Sequence, residues 1–510
     1  MGEANWQQAR LIPTSGINGS DEAERRATSG LLAVMGAVRE FGLAVVKPLG
    51  APAAQLECFI EVPFPLGDET CRPDGLIQLT RASKTWTALV EVKTGTNALE
   101  RTQVENYLDI ARDNGFDVVL TISNQMAPAP GVHPTEVDKR KLRKVAPRHL
   151  SWAEVLTIAV QQRVHRGISD PDQAWILEEL IRYLEHPKSG ALDFNDMGGS
   201  WVPVREAVAN GTLRPSDKGL SDVISRWEQL VRFAALRLGR ELGAMVEVQM
   251  TRKEQADPKL RFAAQAESVV DSGCLSGTLR IPDAVAPVRV TANLRSGQVI
   301  VTADIESPRE GRAATRINWL TRQLKDAPDG LRIDAYAVGS NASTSELLKV
   351  VREDPTVLID DPKRELRKFR VAAVSPLGSK RGVGRGTFID SVLAAIDGFY
   401  ESVIQQLRPW AAKAPQLPRS GRTAAEDAGI DIEPPPGDLA ETAEEDVAEA
   451  APPDVEDLPD PVEASVVEAQ DDHNQDDDAS DLSITPVEEG LVSWDTAHER
   501  IEHERDVSSV

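Results

Sequence analysis

The stretch that runs from Pro73-Asp74-Gly75 through Glu91-Val92-Lys93 to Gln103-Val104-Glu105-Asn106-Tyr107 decides how the first third of this chain folds. Residues 75–80 and 86–92 are rich in Leu, Ile, Val, Thr and Trp and read as two strands. Alternation puts Leu89, Glu91 and Lys93 on one face of the second strand, and Ala88, Val90 and Val92 on the other. A carboxylate and an ammonium therefore point the same way at the end of a run that otherwise reads as buried, where charges need a reason. Asp74 opens the preceding strand, and a hairpin brings it opposite that end. Two converging carboxylates repel each other, and a hard divalent cation bound through oxygens relieves the repulsion. The backbone carbonyl of Val92 is a further candidate ligand. Lys93 beside them can steady a phosphate or lower the pKa of an attacking water.

Outward from this stretch the pattern stays regular. Ser20 or Asp21 can cap a helix to about residue 41, on which Thr28, Leu31, Met35 and Val38 recur at spacings of three and four. Residues 56–62 read as another strand. A helix over about 98–114 opens with Asn97 and Glu100 in capping-box spacing. It carries Gln103 and Tyr107 four residues apart, hence on one face. Residues 117–122 form an unbroken apolar run, the mark of a strand covered on both sides. The order is helix, three strands, helix, strand. Pro128, Pro130 and Pro134 then mark a loop. Arg148-His149-Leu150-Ser151-Trp152 reads as a short strand, and Ser151 with Glu154 starts a helix to about residue 164.

With Asp74 and Glu91 17 residues apart, and Gln103 12 residues past Glu91, this layout resembles the PD-(D/E)xK nuclease superfamily. The likeness covers about residues 20–125, with an extension to about 165. It implies a restriction-endonuclease-like α/β fold with an αβββαβ core. It also implies that Asp74 and Glu91 bind Mg2+, or Mn2+ in its place, and that Lys93 assists catalysis. Gln103-x-x-x-Tyr107 resembles the motif that follows the core in the RecB-like branch, where the pair positions substrate. Many members add a glutamate from the first helix. Glu24, two turns before Leu31 on the buried stripe, is the candidate, ahead of Glu22 and Glu40. The helix dipole accounts equally well for acidic residues in that first turn.

The remaining sequence is less telling. Residues 1–18 read as a flexible arm, 19–165 as the nuclease-like domain and 166–245 as a helical extension supporting it. That extension carries a stripe of Trp227, Leu230, Val231, Ala234, Leu238 and Leu242. Residues 246–410 read as a separate α+β domain of unknown role. Its expected elements are strands at 277–281, 287–294, 298–305 and 331–338, and helices at 312–325 and 387–407. From residue 421 onward there are 29 Asp+Glu against 3 Arg, a balance of −26. The whole chain carries −24, which leaves +2 for residues 1–420. Residues 411–510 read as a disordered acidic tail, most simply a solubilising linker, and its sharper use would be to mimic nucleic acid.

Other chemistries find little support. Cys58, Cys71 and Cys274 are scattered without CxxC spacing, which argues against disulfides and structural zinc and fits a reducing cytoplasm. The seven histidines include no HExxH, GxSxG is absent, and no apolar run reaches membrane-spanning length. Lys363, Arg364, Arg367, Lys368, Arg370, Lys380, Arg381 and Arg385 make residues 361–385 a candidate phosphate-backbone contact or simply a solvated surface. Arg309, Arg312 and Arg316 can line the same groove, whereas Trp319 reads as core. The expected function is metal-dependent hydrolysis of phosphodiester bonds, in DNA ahead of RNA. The competing reading is a nucleic-acid-binding scaffold that no longer cuts. Protein partners are expected at the second domain or the tail.

Overall fold

The computed structural model describes residues 6–11, 22–127, 131–191 and 194–411. Most of the expected arm, the Ser20/Asp21 cap, Pro128, Pro130 and nearly all of the acidic tail lie outside the described residues. The chain is a mixed α/β protein in which residues 1–412 form one compact unit. It is built on two large sheets.

The first sheet contains β1 (Gln7–Gln8), β2 (Leu56–Ile60), β5 (Gly75–Arg81), β6 (Lys84–Val92), β7 (Val118–Ser123) and β8 (Ala146–Ser151), side by side in that order. A small hairpin of β3 (Phe64–Leu66) and β4 (Glu69–Cys71) stands apart from it. Strands β2, β5 and β6 run antiparallel, and β6, β7 and β8 run parallel. The parallel step from β6 to β7 needs a crossover, supplied by helix α3 (Arg101–Asn114). Helix α3 covers one face with Val104, Tyr107, Leu108 and Ile110 against Leu76, Leu89 and Val119. The other face is covered by α1 (Glu22–Ala37), α2 (Arg39–Val46), α4 (Trp152–Val160) and α5 (Pro171–Glu185), which bury Leu31, Phe41, Trp152 and Leu177 against Ala88, Val90 and Leu120. Each such large apolar side chain contributes roughly 1.5–3 kcal/mol on burial.

The helix expected to run to residue 41 is instead broken. Val38 is extended (φ −106, ψ 92), and α1 and α2 meet at 110°. The bend lets Leu31, Val34, Val38, Phe41 and Val45 all reach the core. The capping box at Asn97/Glu100 is also corrected. Helix α3 starts at Arg101 after the N-cap Glu100, with no side-chain cap, and Asn97 donates to Glu24 instead. Ser151 and Glu154 do form the expected box, and α4 continues as a π-helical turn, Gln161–Arg166.

The second sheet has seven antiparallel strands in the order β14-β13-β15-β12-β11-β10-β9. These are β9 (Glu247–Val248), β10 (Cys274–Arg280), β11 (Val288–Asn293), β12 (Gln298–Glu306), β13 (Arg332–Ala337), β14 (Ser343–Leu347) and β15 (Leu366–Pro376). Helices α6 (Trp201–Ala209), α7 (Lys218–Leu242), α8 (Arg252–Ala256), α9 (Pro258–Ser272), α10 (Ala313–Gln323), α11 (Leu348–Glu353) and α12 (Phe388–Ser402) accompany it. The helical extension divides between the two cores. Helix α5 packs into the first, whereas Trp201, Val204, Trp227, Leu230 and Val231 of α6 and α7 are buried in the second. Half of the basic run is a strand rather than a loop. Within β15, Lys368 and Arg370 are half-buried and paired to Asp304 at 2.6 Å. Arg316 is likewise interior, donating to the carbonyls of Gly311, Leu366 and Arg309. Among the described residues no single helix is long and apolar enough to cross a membrane.

Candidate functional site: an acidic cluster at the strand ends

Gly75 sets the entry to β5. A Cβ there would lie 2.4 Å from Leu32 Cδ1 of α1, so any larger residue would displace that buried side chain. The residue before it, Asp74, lies at the start of this interior strand, and its Oδ2 accepts the N–H of Val92 at 2.8 Å. Val92 thus meets the cluster through its amide. On the same strand Glu91 turns toward α3, opposite Thr121 of β7, and is almost wholly buried (1% exposed). Lys93 follows, just past the strand end, with its N–H on Ile122 O and its carbonyl accepting Trp152 Nε1 at 2.9 Å.

From the first turn of α1, Glu24 reaches across. Oxygens of Glu24, Asp74 and Glu91 all lie within 4.8 Å of one another. Lys93 Nζ sits among them, 2.6 Å from Glu91 Oε1 and 3.0 Å from Glu24 Oε1. Asn97 Nδ2 donates to Glu24 Oε2 at 3.5 Å. Both Glu91 oxygens are sealed from solvent, and Lys93 is the cation that meets them. If all three acids are ionised, one ammonium faces three carboxylates.

The electrostatics reflect that imbalance. Burial pushes the Asp74 carboxyl well above the usual carboxylate range, and the charge of Glu91 adds to the rise. Glu91 is raised by the same loss of solvent, against the pull of Lys93. Burial disfavours the Lys93 ammonium, but Glu91 and Glu24 more than offset this, so its pKa is raised. Lys93 is thus held as a cation among the three acids.

Gln103 and Tyr107 share one face of α3, with Gln103 Nε2 donating to the Tyr107 hydroxyl at 3.2 Å. Tyr107 is buried, and burial together with the nearby Glu91 raises its phenol. Cys71 lies at the same margin, a residue the sequence reading left aside. Burial and the Glu91 charge raise the pKa of its thiol. Asn97 was also missed as a site residue. Its only sequence signal is its place four residues after Lys93, in a turn.

A second polar group backs the site. Thr121 Oγ1 lies 2.8 Å from both His133 Nε2 and His149 Nδ1, and His149 Nε2 lies 2.7 Å from Gln125 O. Burial depresses His149 to about 4, with the neighbouring His133 adding to the effect. His149 ties Gln125 to the sheet, and His133 ties Thr135 to it.

The oxygens of Glu24, Asp74 and Glu91 are a donor set suited to a hard divalent cation. Compared with protein-family models, curated proteins and solved structures, the chain matches none.

Proposed function

We propose that this protein is a metal-dependent nuclease acting on phosphodiester bonds, in DNA ahead of RNA, on a restriction-endonuclease-like core. The observation that carries the reading is the trio of acidic side chains within 4.8 Å of one another around one lysine, with Glu91 almost wholly buried. Such a buried surplus of negative charge costs stability unless a cation completes it. Apart from the break after α1 and the inserted hairpin β3–β4, the succession α1, β2, β5, β6, α3, β7 at the first sheet supports the same reading, as does the position of Gln103 and Tyr107.

Glu24, Asp74 and Glu91 would hold Mg2+, or Mn2+, with the Val92 carbonyl as a further ligand. Bound there, the ion would polarise a phosphate oxygen and lower the pKa of a coordinated water. Asp74 is oriented for this by the Val92 N–H, and Glu91 by its strand. Lys93, the cation of the cluster, stabilises negative charge developing on the phosphate. Tyr107, held by Gln103, donates toward the cluster and fixes the substrate strand.

The test is cleavage of labelled DNA by the full chain with Mg2+ or with EDTA, for the wild type, Glu91→Gln and Lys93→Ala. Metal-dependent cleavage lost in both variants supports the reading. Binding without cleavage, equal in all three proteins, would establish the scaffold alternative instead.

A further inference from the structure

Residues 139–148, Lys-Arg-Lys-Leu-Arg-Lys-Val-Ala-Pro-Arg, carry six cations and no acid. They run from a single 3-10 turn, Lys139–Arg143, into β8, the outermost strand of the first sheet. Lys139, Arg140, Arg143, Lys144 and Arg148 are exposed, and among the described residues none of the five has an ion-pair partner. Lys141 alone is paired, to Asp109 of α3 at 2.5 Å. The acids on the adjoining side of α3 are engaged, Glu105 by Arg101 and Asp109 by Arg112 as well as Lys141. Just ahead of the run, the Asp138 carboxylate caps the turn by accepting the N–H of Arg140, and Glu136 is exposed. Six cations less these two acids still leave +4 on residues 131–150, where residues 1–420 as a whole carry +2. The other basic stretch, 361–385, spends Lys368 and Arg370 on Asp304.

This ridge is anchored beside the acidic cluster. Val145 is buried in the core under α3, and Val137 packs against it. The Asp138 N–H donates to Glu105 Oε1 at 2.9 Å, and Glu105 is two residues from both Gln103 and Tyr107. Glu91, Thr121 and His149 lie side by side on β6, β7 and β8, each the register partner of the next. Neighbouring strands are about 4.8 Å apart, so β8 runs about 10 Å to one side of Glu91. A nucleic-acid strand advances one phosphate per about 3.4 Å of helix axis, so phosphates only a few steps from the cluster come over the ridge. Five unpaired cations in ten residues also repel one another, and a polyanion relieves that repulsion.

We infer that the ridge 139–148 grips the sugar–phosphate backbone of the substrate on one side of the scissile bond. The inference rests on the nuclease reading and names how that enzyme holds its substrate: by charge, a few phosphates away from the acidic cluster. Contacts to phosphates fix the position of a nucleic acid and carry no sequence information directly. The cluster, itself acidic, repels a polyanion until a cation fills it. The ridge supplies the attraction that the cluster lacks, and the sequence signal for it is a run of Lys and Arg between two buried valines.

The experiment measures binding of a fluorescein-labelled DNA duplex to the full chain in EDTA over a series of salt concentrations, so that no cleavage enters the readout. The wild type should bind it. The variant Lys139→Ala, Arg140→Ala, Arg143→Ala, Lys144→Ala spares Lys141 and its hold on Asp109. It should bind about tenfold more weakly, with a log–log salt slope shallower by about 2 or more, since each phosphate contact on a duplex contributes about 0.9. A control, Arg39→Ala, Lys47→Ala, Arg81→Ala, Lys84→Ala, removes the same charge from exposed positions elsewhere on the first sheet and its helices, and should bind like the wild type. All the altered side chains are exposed, so both variants should melt with the wild type. Unchanged affinity and slope in the ridge variant, an equal loss in the control, or a wild type without affinity overturns the assignment. Ridge-dependent binding without Mg2+-dependent cleavage of the same DNA would instead overturn the nuclease reading alone.

Discussion

The Asp74 carboxylate accepts the backbone N–H of Val92, so the position of one acid is set by the strand that carries the other, Glu91. Any shift of β6 moves both together. The cluster is a rigid unit with one soft member, Glu24, which approaches from a helix and is steadied by Lys93 and Asn97.

Asp74→Asn should separate stability from function. The amide can still accept from Val92, while one charge leaves a site that burial already strains. Without metal the variant should melt no lower than wild type. Wild type should gain about 2.7 kcal/mol from Mg2+ at one hundred times its Kd, a gain the variant should lack. Thermal unfolding with and without Mg2+ reads both, and equal Mg2+ shifts in the two proteins would remove Asp74 from the ligand set.

Lys93→Ala should act in the opposite sense. Its loss leaves Glu91 and Glu24 without their cation, so the metal-free protein should weaken by a few kcal/mol. Mg2+ should restore much of that, because the site is now more negative. Cleavage should still fall about a hundredfold or more, as expected for a lost charge-stabilising group. Retained cleavage with unchanged melting would contradict the assignment.

Tyr107→Phe removes a hydroxyl that Gln103 donates to, at a cost of about 1 kcal/mol. The Mg2+ shift should persist, since neither residue is a ligand. Gln103→Ala should raise KM more than it lowers kcat, the mark of a residue that positions the strand. The reverse split would place Gln103 closer to the chemistry.

His149 provides an acid-sensitive element behind the site. Its pKa is near 4 when folded, against an ordinary 6.5. Between those values the unfolded chain takes up a proton that the folded protein excludes. Stability from this group is thus complete above about 6.5 and falls with acid, by about 3 kcal/mol at most. His133 and Arg232 reinforce the depression, while Glu154 and the Gln125 carbonyl oppose it. Asp74 and Glu91, raised on folding, push the other way. The difference between wild type and His149→Gln therefore isolates the effect. Melting curves that stay parallel from pH 7 to pH 4 would exclude it.

Asp74, Glu91 and Lys93 were legible because a strand imposes a period of two, and charges at the end of an apolar run have few places to go. Gln103 and Tyr107 were legible for the matching reason on a helix. Asn97 was misread because capping spacing is local, whereas its partner Glu24 lies 73 residues away in sequence. The basic run misled in a similar way. Strand β15 alternates Lys368 and Arg370 with Phe369 and Val371, and the cations are matched by Asp304 on a neighbouring strand. The stripe on α7 showed that the helix had a buried face, but periodicity cannot say which of two cores receives it.

Asn124 holds the carbonyls of Gly95 and Gly190 at 2.8 Å each, and a Cβ on Gly190 would lie 2.7 Å from Thr94 Cβ. Together with the Gly95 N–H on Gly190 O, this amide buckles the turn after Lys93 to the connection leading into the second core, two residues from the lysine. Dissecting the chain near residue 165 would unfasten it, so the halves should be expected to lose their properties together.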